Sequence, residues 1–294
     1  MKIILIVKPI GSFRLKQIRK ILEATFDDKK DTFDIYVSMK KGHSVTLTQK
    51  ALKEKADVVV ACGGDGTINE VARELVKTKV VLGIIPLGSG NGIARHYKIP
   101  FDLSKAIQLI QKNRITAMDV GVVNGHYFFG NMGCAFESHF IKQYQKNGWH
   151  GIIAYAFAFF DAMLIFRHQK IKIQYNQKIR QICPFVFLVS NTNQQGYDFT
   201  LTPTAKTDDG QLDLFWMDES NLLSKLKFFF FALLRKKLKG SEFNNVPLSD
   251  LKISLLNQDD FCLQVDGEYV PSSEKNLEVK VLPKSLKVVV PNLS

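Results

Sequence analysis

The first third of the chain alternates two kinds of hydrophobic pattern. Ile3–Val7, Phe33–Val37, Asp57–Ala61 and Val80–Ile85 are short, β-branched runs bounded by turn residues, and they predict buried strands. Between and after them, Lys16–Ala24, Ser44–Lys55, Ile68–Val76 and Leu103–Gln111 space their apolar residues three and four apart, as Ile18, Ile21 and Leu22 show. That spacing predicts amphipathic helices. Strands separated by helices pair in parallel through βαβ units, so residues 1–118 predict an α/β domain with a parallel sheet.

Near Ala117 the rhythm changes. Strand-like segments follow at Val120–Val123, Tyr127–Asn131, Ile171–Tyr175, Pro184–Ser190, Leu212–Trp216, Leu251–Leu255, Phe261–Val265 and Leu277–Val281. Asn124-Gly125 between the first two is a hairpin signal. Residues 119–294 therefore predict a second domain, mostly antiparallel β with one or two helices. Its final run, Leu286–Pro291, is a candidate for a strand that returns to the first domain.

Composition narrows the classes of partner. Lys+Arg 40 against Asp+Glu 28 gives a formal charge of +12, which favours acidic partners: nucleotide phosphates, nucleic acid or anionic lipid headgroups. No nucleic-acid-binding motif accompanies the charge, so nucleic acid is not the expected partner. Cys62, Cys134, Cys183 and Cys262 stand singly in apolar surroundings and read as buried free thiols of a reducing cytosol. The histidines form no ligand pattern. The start, MKIILIVKPIG, has too short an apolar run for a signal peptide. The longest apolar stretch, Ile152–Phe166, contains Asp161 and falls short of the roughly 20 residues of a spanning helix, so no membrane anchor is expected.

The most specific motif is Gly63-Gly64-Asp65-Gly66-Thr67-Ile68-Asn69-Glu70, directly after a strand and opening a helix. Glycines there let backbone N–H groups approach a phosphate, and the helix N-terminus adds partial positive charge. A carboxylate such as Asp65 is unfavourable beside phosphates unless it handles a metal, a water or a proton. Pro86-Leu87-Gly88-Ser89-Gly90-Asn91-Gly92 is a second strand-to-helix loop on the same sheet edge. Two such loops suit a nucleotide triphosphate, although neither is a Walker loop or a complete G-x-G-x-x-G fingerprint. Further on, Lys206-Thr207-Asp208-Asp209-Gly210-Gln211-Leu212-Asp213 gathers three acids in a turn, which is either a solvated β-turn or a source of oxygens for a hard divalent cation. Val265-Asp266-Gly267-Glu268 alone reads as an Asp-Gly hairpin.

Together these pieces resemble one family over nearly the whole chain: the bacterial soluble diacylglycerol kinases and the sphingosine kinases, which share a catalytic domain. Asp119-Val120-Gly121 with Asn124-Gly125, Leu201-Thr202-Pro203-Thr204-Ala205-Lys206 and Leu282-Pro283 complete the match in order and spacing. The resemblance implies a phosphofructokinase-like α/β domain followed by an antiparallel β-sandwich-like domain. It also implies ATP in the cleft between them, its phosphates on the loop Gly63–Thr67 with Asn69 and Glu70 beside it. Ser38, and Gly88, Ser89 and Asn91 of the second loop, match the remaining nucleotide contacts. The family's Mg²⁺ position falls on Asp209, with the backbone carbonyls of Lys206 and Gln211. Glu268 matches the general base, and Asp65 is linked to it through water and metal or organises a second Mg²⁺.

Two departures stand out. The family's first loop commonly begins Asn-Pro, where this chain has Lys8-Pro9; the added cation either contacts phosphate or disturbs the loop. Ser89-Gly90-Asn91-Gly92 leans toward the sphingosine-kinase branch. The implied function is an ATP-dependent lipid kinase of lipid metabolism, a phosphotransferase to an alcohol group, cytoplasmic and peripheral at the anionic inner membrane face, with a homodimer plausible. For membrane contact, Leu226–Lys239 pairs bulky apolar residues with a cationic end, a pattern that core helices also show. The alternatives are a NAD kinase, which shares the Gly-Gly-Asp-Gly-Thr loop, and an inactive nucleotide- or lipid-binding relative.

Overall fold

The computed structural model describes residues 1–27, 29–147, 152–195, 200–218, 222–233, 243–256 and 261–292. The chain divides into two compact units, 1–118 with 284–294, and 119–283. The elements of the first run β1 (Lys2–Val7), α1 (Ser12–Thr25), β2 (Thr32–Val37), α2 (His43–Lys53), β3 (Val58–Gly63), α3 (Asp65–Leu75), β4 (Val81–Pro86), α4 (Gly92–His96) and α5 (Leu103–Lys112). There follow β5 (Ile115–Val123), β6 (His126–Phe128), β7 (Asn131–Gly133), α6 (Phe136–Asn147), α7 (Ile152–Ile165), β8 (Ile171–Tyr175), β9 (Lys178–Ile182) and β10 (Pro184–Ser190). The remainder are β11 (Leu212–Asp218), α8 (Leu222–Leu233), β12 (Phe243–Leu248), β13 (Asp250–Leu255), β14 (Leu263–Val265), β15 (Glu268–Val270) and β16 (Asn276–Val289).

In the first unit the strands lie in the order β2-β1-β3-β4, all parallel, and Lys287 and Val288 of β16 pair in parallel with Val81 and Leu82 of β4. Helices on both faces explain why β1, β3 and β4 are buried almost throughout, as parallel strands must be. Helix α3 buries Ile68, Val71, Ala72 and Leu75, the i, i+3, i+4, i+7 set that its sequence predicts. Asp102 caps α5 by accepting the Lys105 N–H at 2.9 Å.

The second unit is a sandwich. One sheet runs β12-β11-β10-β7-β14-β15; in the other the first half of β16 pairs with β13, β13 with β8 and β8 with β9, all antiparallel. Alternate residues of both sheets meet in one core: Phe187, Val189, Leu214 and Trp216 from one, Ile173, Leu251, Ile253 and Val279 from the other. Strands β10 and β11 also bury their opposite face, where Phe185, Leu188, Phe215 and Met217 pack with Phe136, Phe159 and Phe228 of α6, α7 and α8. A strand covered on both sides loses its alternation, so Pro184–Ser190 is buried at every position whereas β8 alternates buried and exposed. The fold class is therefore α/β followed by an antiparallel β-sandwich: the pattern predicts the α/β and antiparallel β halves, and the family resemblance implies the sandwich.

Several boundaries differ from the pattern, each for a physical reason. Tyr127–Asn131 reads as one strand but divides into β6 and β7, because the N–H groups of Phe129, Gly130 and Asn131 go to the Asp266 carboxylate. Leu277–Val281 and Leu286–Pro291 read as two strands but form the single β16, with Lys284 at φ +49° where the chain passes from one unit to the other. The second unit has three helices among the described residues rather than one or two. Helix α6 escapes notice because its polar residues dilute the period, and β9 because four of its five residues are exposed. Asn124 and Gly125 take φ +43° and +85°, the two left-handed residues of a type I′ hairpin joining β5 and β6. Cys62, Cys134 and Cys262 are buried free thiols, and Cys183 is half-buried.

At the start of α6, Glu137 ties the helix to the sheet, accepting N–H bonds from Ala135 at 2.9 Å and Phe187 at 3.3 Å. Burial pushes its carboxyl up to about 7, with those N–H groups pulling the other way. A carboxyl raised on folding stabilises the native state while protonated, and that contribution fades as pH climbs from its ordinary value toward about 7. Glu137→Gln should therefore gain stability relative to the parent between about pH 5 and about pH 8, read as the difference in urea midpoints. A Cβ on Gly121 would fall on the ring of Phe128, so Gly121→Ala should cost about 1–3 kcal/mol in the same measurement, and less in a Phe128→Leu background.

Candidate active site

The strand order β2-β1-β3-β4 reverses direction between β1 and β3, so the loops after these two strands diverge to opposite faces and open a crevice at their carboxyl ends. Both Gly-rich motifs lie at this edge. Strand β3 ends at Gly63, Gly64 is the N-cap of α3, and Asp65 is its first residue. The second loop follows β4 and docks on the first: the Leu87 N–H donates to the Gly63 carbonyl at 2.8 Å. The two loops approach so closely that a Cβ on Gly88 would overlap Gly64 Cα. Only glycine permits that distance. Asn91, fully buried at φ +51°, accepts from the Gly88 N–H at 3.1 Å and donates to its carbonyl at 2.7 Å, closing the second loop on itself.

Asp65 joins the loops. Its carboxylate accepts the Gly92 N–H in the first turn of α4 at 2.8 Å, and the Asn91 and Ile93 N–H groups also act on it. Burial raises its pKa more strongly than these N–H groups lower it. Glu70 does the same for α2, accepting from the Gly42 N–H at 2.6 Å and the Ser44 N–H at 3.2 Å. So two acids of α3 cover the N-termini of α2 and α4. At α1 and α3 the N-cap residues are Gly11 and Gly64, which have no side chain to cap with, and at α3 the Asp65 carboxylate also meets its own N–H. Uncapped N–H groups at a helix start attract anions. Ser38 is buried at the end of β2, its N–H donating to the Val7 carbonyl at 2.8 Å and its hydroxyl to the Lys40 carbonyl at 3.3 Å. Ser89 is exposed at the tip of the second loop, and Thr67 packs against Gly63. Gly66, Asn69 and Glu70 are half-buried on the first turns of α3.

The second unit holds the acidic turn. Lys206, Asp208, Asp209 and Gln211 are exposed, and the Asp209 carboxylate accepts the Gln211 N–H at 3.1 Å. Beneath the turn lies Asp119, fully buried, accepting the Gly210 N–H at 2.7 Å while its own N–H donates to the Thr207 carbonyl at 2.6 Å. Buried Asn191 extends this network, donating its amide to the carbonyls of Asp119 at 2.8 Å and Phe129 at 3.1 Å. Asp213 is held by the Thr204 hydroxyl at 3.2 Å, and burial, with Asp209 nearby, raises its pKa.

Asp266 and Gly267 form the tight turn between β14 and β15, at φ +48° and +77°, and this puts Glu268 opposite Val265, half-buried. The Asp266 carboxylate gathers three consecutive N–H groups, Phe129 at 2.9 Å, Gly130 at 2.8 Å and Asn131 at 3.0 Å. Asp119, Asn191 and Asp266 are residues to which the sequence motifs assign no role of their own. The available signal is a lone acid inside an apolar run, as in Ala117-Met118-Asp119-Val120.

The donor chemistry of the turn suits Mg²⁺: one exposed carboxylate, Asp209, and the main-chain carbonyls of Lys206 and Gln211 are hard oxygen ligands. Among the described residues no group of three His, Cys, Asp or Glu side chains stands ready to hold a metal. A site here therefore leans on carbonyls, water and substrate oxygens, as Mg²⁺ sites commonly do.

Removing the Asp266 carboxylate leaves three N–H groups without their acceptor. Asp266→Ala should cost about 3 kcal/mol and speed amide exchange at Phe129, Gly130 and Asn131 ahead of the rest of the sandwich.

Residues 2–123 match the family model described as the diacylglycerol kinase catalytic domain, and residues 136–290 that of the YegS C-terminal NAD kinase beta sandwich-like domain. A Staphylococcus saprophyticus protein named diacylglycerol kinase is 28% identical over 265 residues, 87% of this chain and 84% of its own length. A Pectobacterium atrosepticum protein named "Probable lipid kinase YegS-like" is 30% identical over 282 residues, 92% and 91% of the two chains. Among solved structures, a diacylglycerol kinase from Bacillus anthracis superposes with a TM-score of 0.74 at 20% identity, covering 99% of this chain and 97% of that one, which shows a shared fold. By both domain matches and by the relatives that span nearly all of it, the chain belongs to the lipid kinase family built on the diacylglycerol kinase catalytic domain.

Proposed function

We propose that this chain transfers the γ-phosphate of ATP to a hydroxyl of a diacylglycerol-like or sphingoid-like lipid at a membrane surface. The observation that carries this reading is the pair of Gly-rich loops locked together at Gly64 and Gly88, where α3 begins after a glycine N-cap, in a chain of this family. Backbone N–H groups there neutralise phosphate charge without a Cβ in the way.

In this reading the loop Gly63–Thr67 receives the phosphates, and Ser38, Asn69, Ser89 and Asn91 contact or frame the nucleotide. Asp65 and Glu70 hold the neighbouring helix starts, which keeps the cradle rigid. A lipid hydroxyl is a poor nucleophile, and Glu268 accepts its proton as the new P–O bond forms. Lys206, Asp209 and Gln211 hold Mg²⁺, which when bound neutralises charge on phosphate oxygens. Asp119 fixes the turn from below through Gly210.

Exposed apolar residues support action at a membrane. On α7, Phe157, Phe160 and Leu164 share one face, and Leu164 is 86% exposed. On α8, Leu223 and Phe230 are exposed with Lys227 between them. Such a face with a cation beside it suits a bilayer interface. No helix among the described residues is long and apolar enough to cross a membrane. The cationic end of Leu226–Lys239, from residue 234 onward, lies outside the described residues.

Labelled γ-phosphate transfer from ATP and Mg²⁺ in mixed micelles tests the reading, with diacylglycerol, a sphingoid base, monoacylglycerol and, separately, NAD as acceptors. Label should enter one of the lipids; label in NAD alone would refute the lipid acceptor. Glu268→Gln should lower kcat by about 100-fold or more with the fold intact, and Asp209→Asn should raise the Mg²⁺ requirement. Near-normal turnover in Glu268→Gln would remove it as proton acceptor.

A further inference from the structure

Lys8 is the residue in which this chain departs from the Asn-Pro start of the resembling family, and its surroundings give the departure a use. It follows β1 directly, on the side of the strand order reversal opposite the Gly63–Gly64 loop, so it borders the same crevice. Its N–H donates to the Cys62 carbonyl at 3.0 Å, immediately before Gly63. Its ammonium donates to the Leu87 carbonyl at 2.5 Å, immediately before Gly88. Main chain and side chain are thus fastened to the two Gly-rich loops in turn.

No carboxylate pairs with Lys8 among the described residues. The charge that acts on it is a second cation, Arg14 in the first turns of α1. Burial, and then Arg14, lower its pKa. An ammonium has three donors, and the Leu87 carbonyl takes one. A half-buried cation beside another cation, with no carboxylate paired to it among the described residues, is an arrangement short of negative charge. A carbonyl strut alone explains none of this, since an uncharged amide would hold Leu87 without the cost of burying a charge.

We infer that Lys8 is a phosphate-binding residue of the nucleotide site, its ammonium held between the two Gly-rich loops to contact the polyphosphate of the bound nucleotide. This rests on the nucleotide reading above. The contact adds a fixed positive charge to a cradle otherwise made of backbone N–H groups, and a charge-assisted bond is the stronger kind. Since Lys8 loses its proton at lower pH than an exposed lysine, this part of the affinity falls away as pH rises through its lowered pKa.

Calorimetric titration of the full-length protein with ATP and with adenosine separates the contact from the strut. Lys8→Met and Lys8→Asn should weaken ATP about tenfold or more, Lys8→Arg by no more than about threefold, with adenosine affinity and melting temperature unchanged. Parent affinity for ATP should decline toward alkaline pH, and Lys8→Arg should abolish that decline. ATP bound equally by Lys8→Met and the parent would overturn the inference while leaving the nucleotide reading in place. Equal losses for ATP and adenosine, with a lowered melting temperature, would make Lys8 a strut and overturn it as well. A parent protein that binds no ATP would overturn the nucleotide reading, and this inference with it.

Discussion

The contact between Gly64 and Gly88 is the constraint on which the first unit's functional edge depends. Two strand-to-helix loops touch backbone to backbone, and a single Cβ on Gly88 would part them. Everything else at the edge follows from holding that contact. The Leu87 N–H reaches the Gly63 carbonyl, Asn91 closes the second loop around Gly88, and Asp65 grips the start of α4. The carboxylate of Asp65 is buried against its own electrostatic preference, with its pKa raised, and N–H groups of the α4 turn offset part of that cost. Rigidity there means that, in the proposed nucleotide site, the loop N–H groups need no rearrangement when charge arrives.

The second unit solves a similar problem with side chains in place of glycine. Asp119, Asn191 and Asp266 each satisfy several backbone groups, and together they link the turn at Gly210, the bend at Phe129–Asn131 and the hairpin that presents Glu268. Buried polar networks of this kind specify one arrangement because any alternative leaves N–H or carbonyl groups unpaired. The exposed acids of the 206–211 turn and the half-buried Glu268 are carried on this frame.

Much of the architecture was legible in the sequence because burial patterns are local. The βαβ alternation, the Asn124-Gly125 hairpin and the change of rhythm near Ala117 all follow from period and turn chemistry. Strand boundaries at Tyr127–Asn131 were not, since the acceptor that bends the chain, Asp266, lies far along the sequence. The motifs marked Asp65 as chemically unusual, but whether its carboxylate faces a phosphate or a helix start is decided by where the second loop folds. Lys8 was visible as a departure; that both Gly-rich loops fasten it required the strand order.

Strand β16 carries a consequence for how the protein assembles. Among the described residues, Val81 and Leu82 of β4 take their outer neighbours from Lys287 and Val288, so one edge of the first sheet stays open while the sandwich strands are synthesised. An open, apolar strand edge invites pairing with other chains, and a contact this distant in sequence forms slowly. The first unit's sheet therefore gains the β16–β4 pairing only after the sandwich strands have been made, although most of its residues emerge first. Loss of that pairing would leave an adhesive edge on the first sheet.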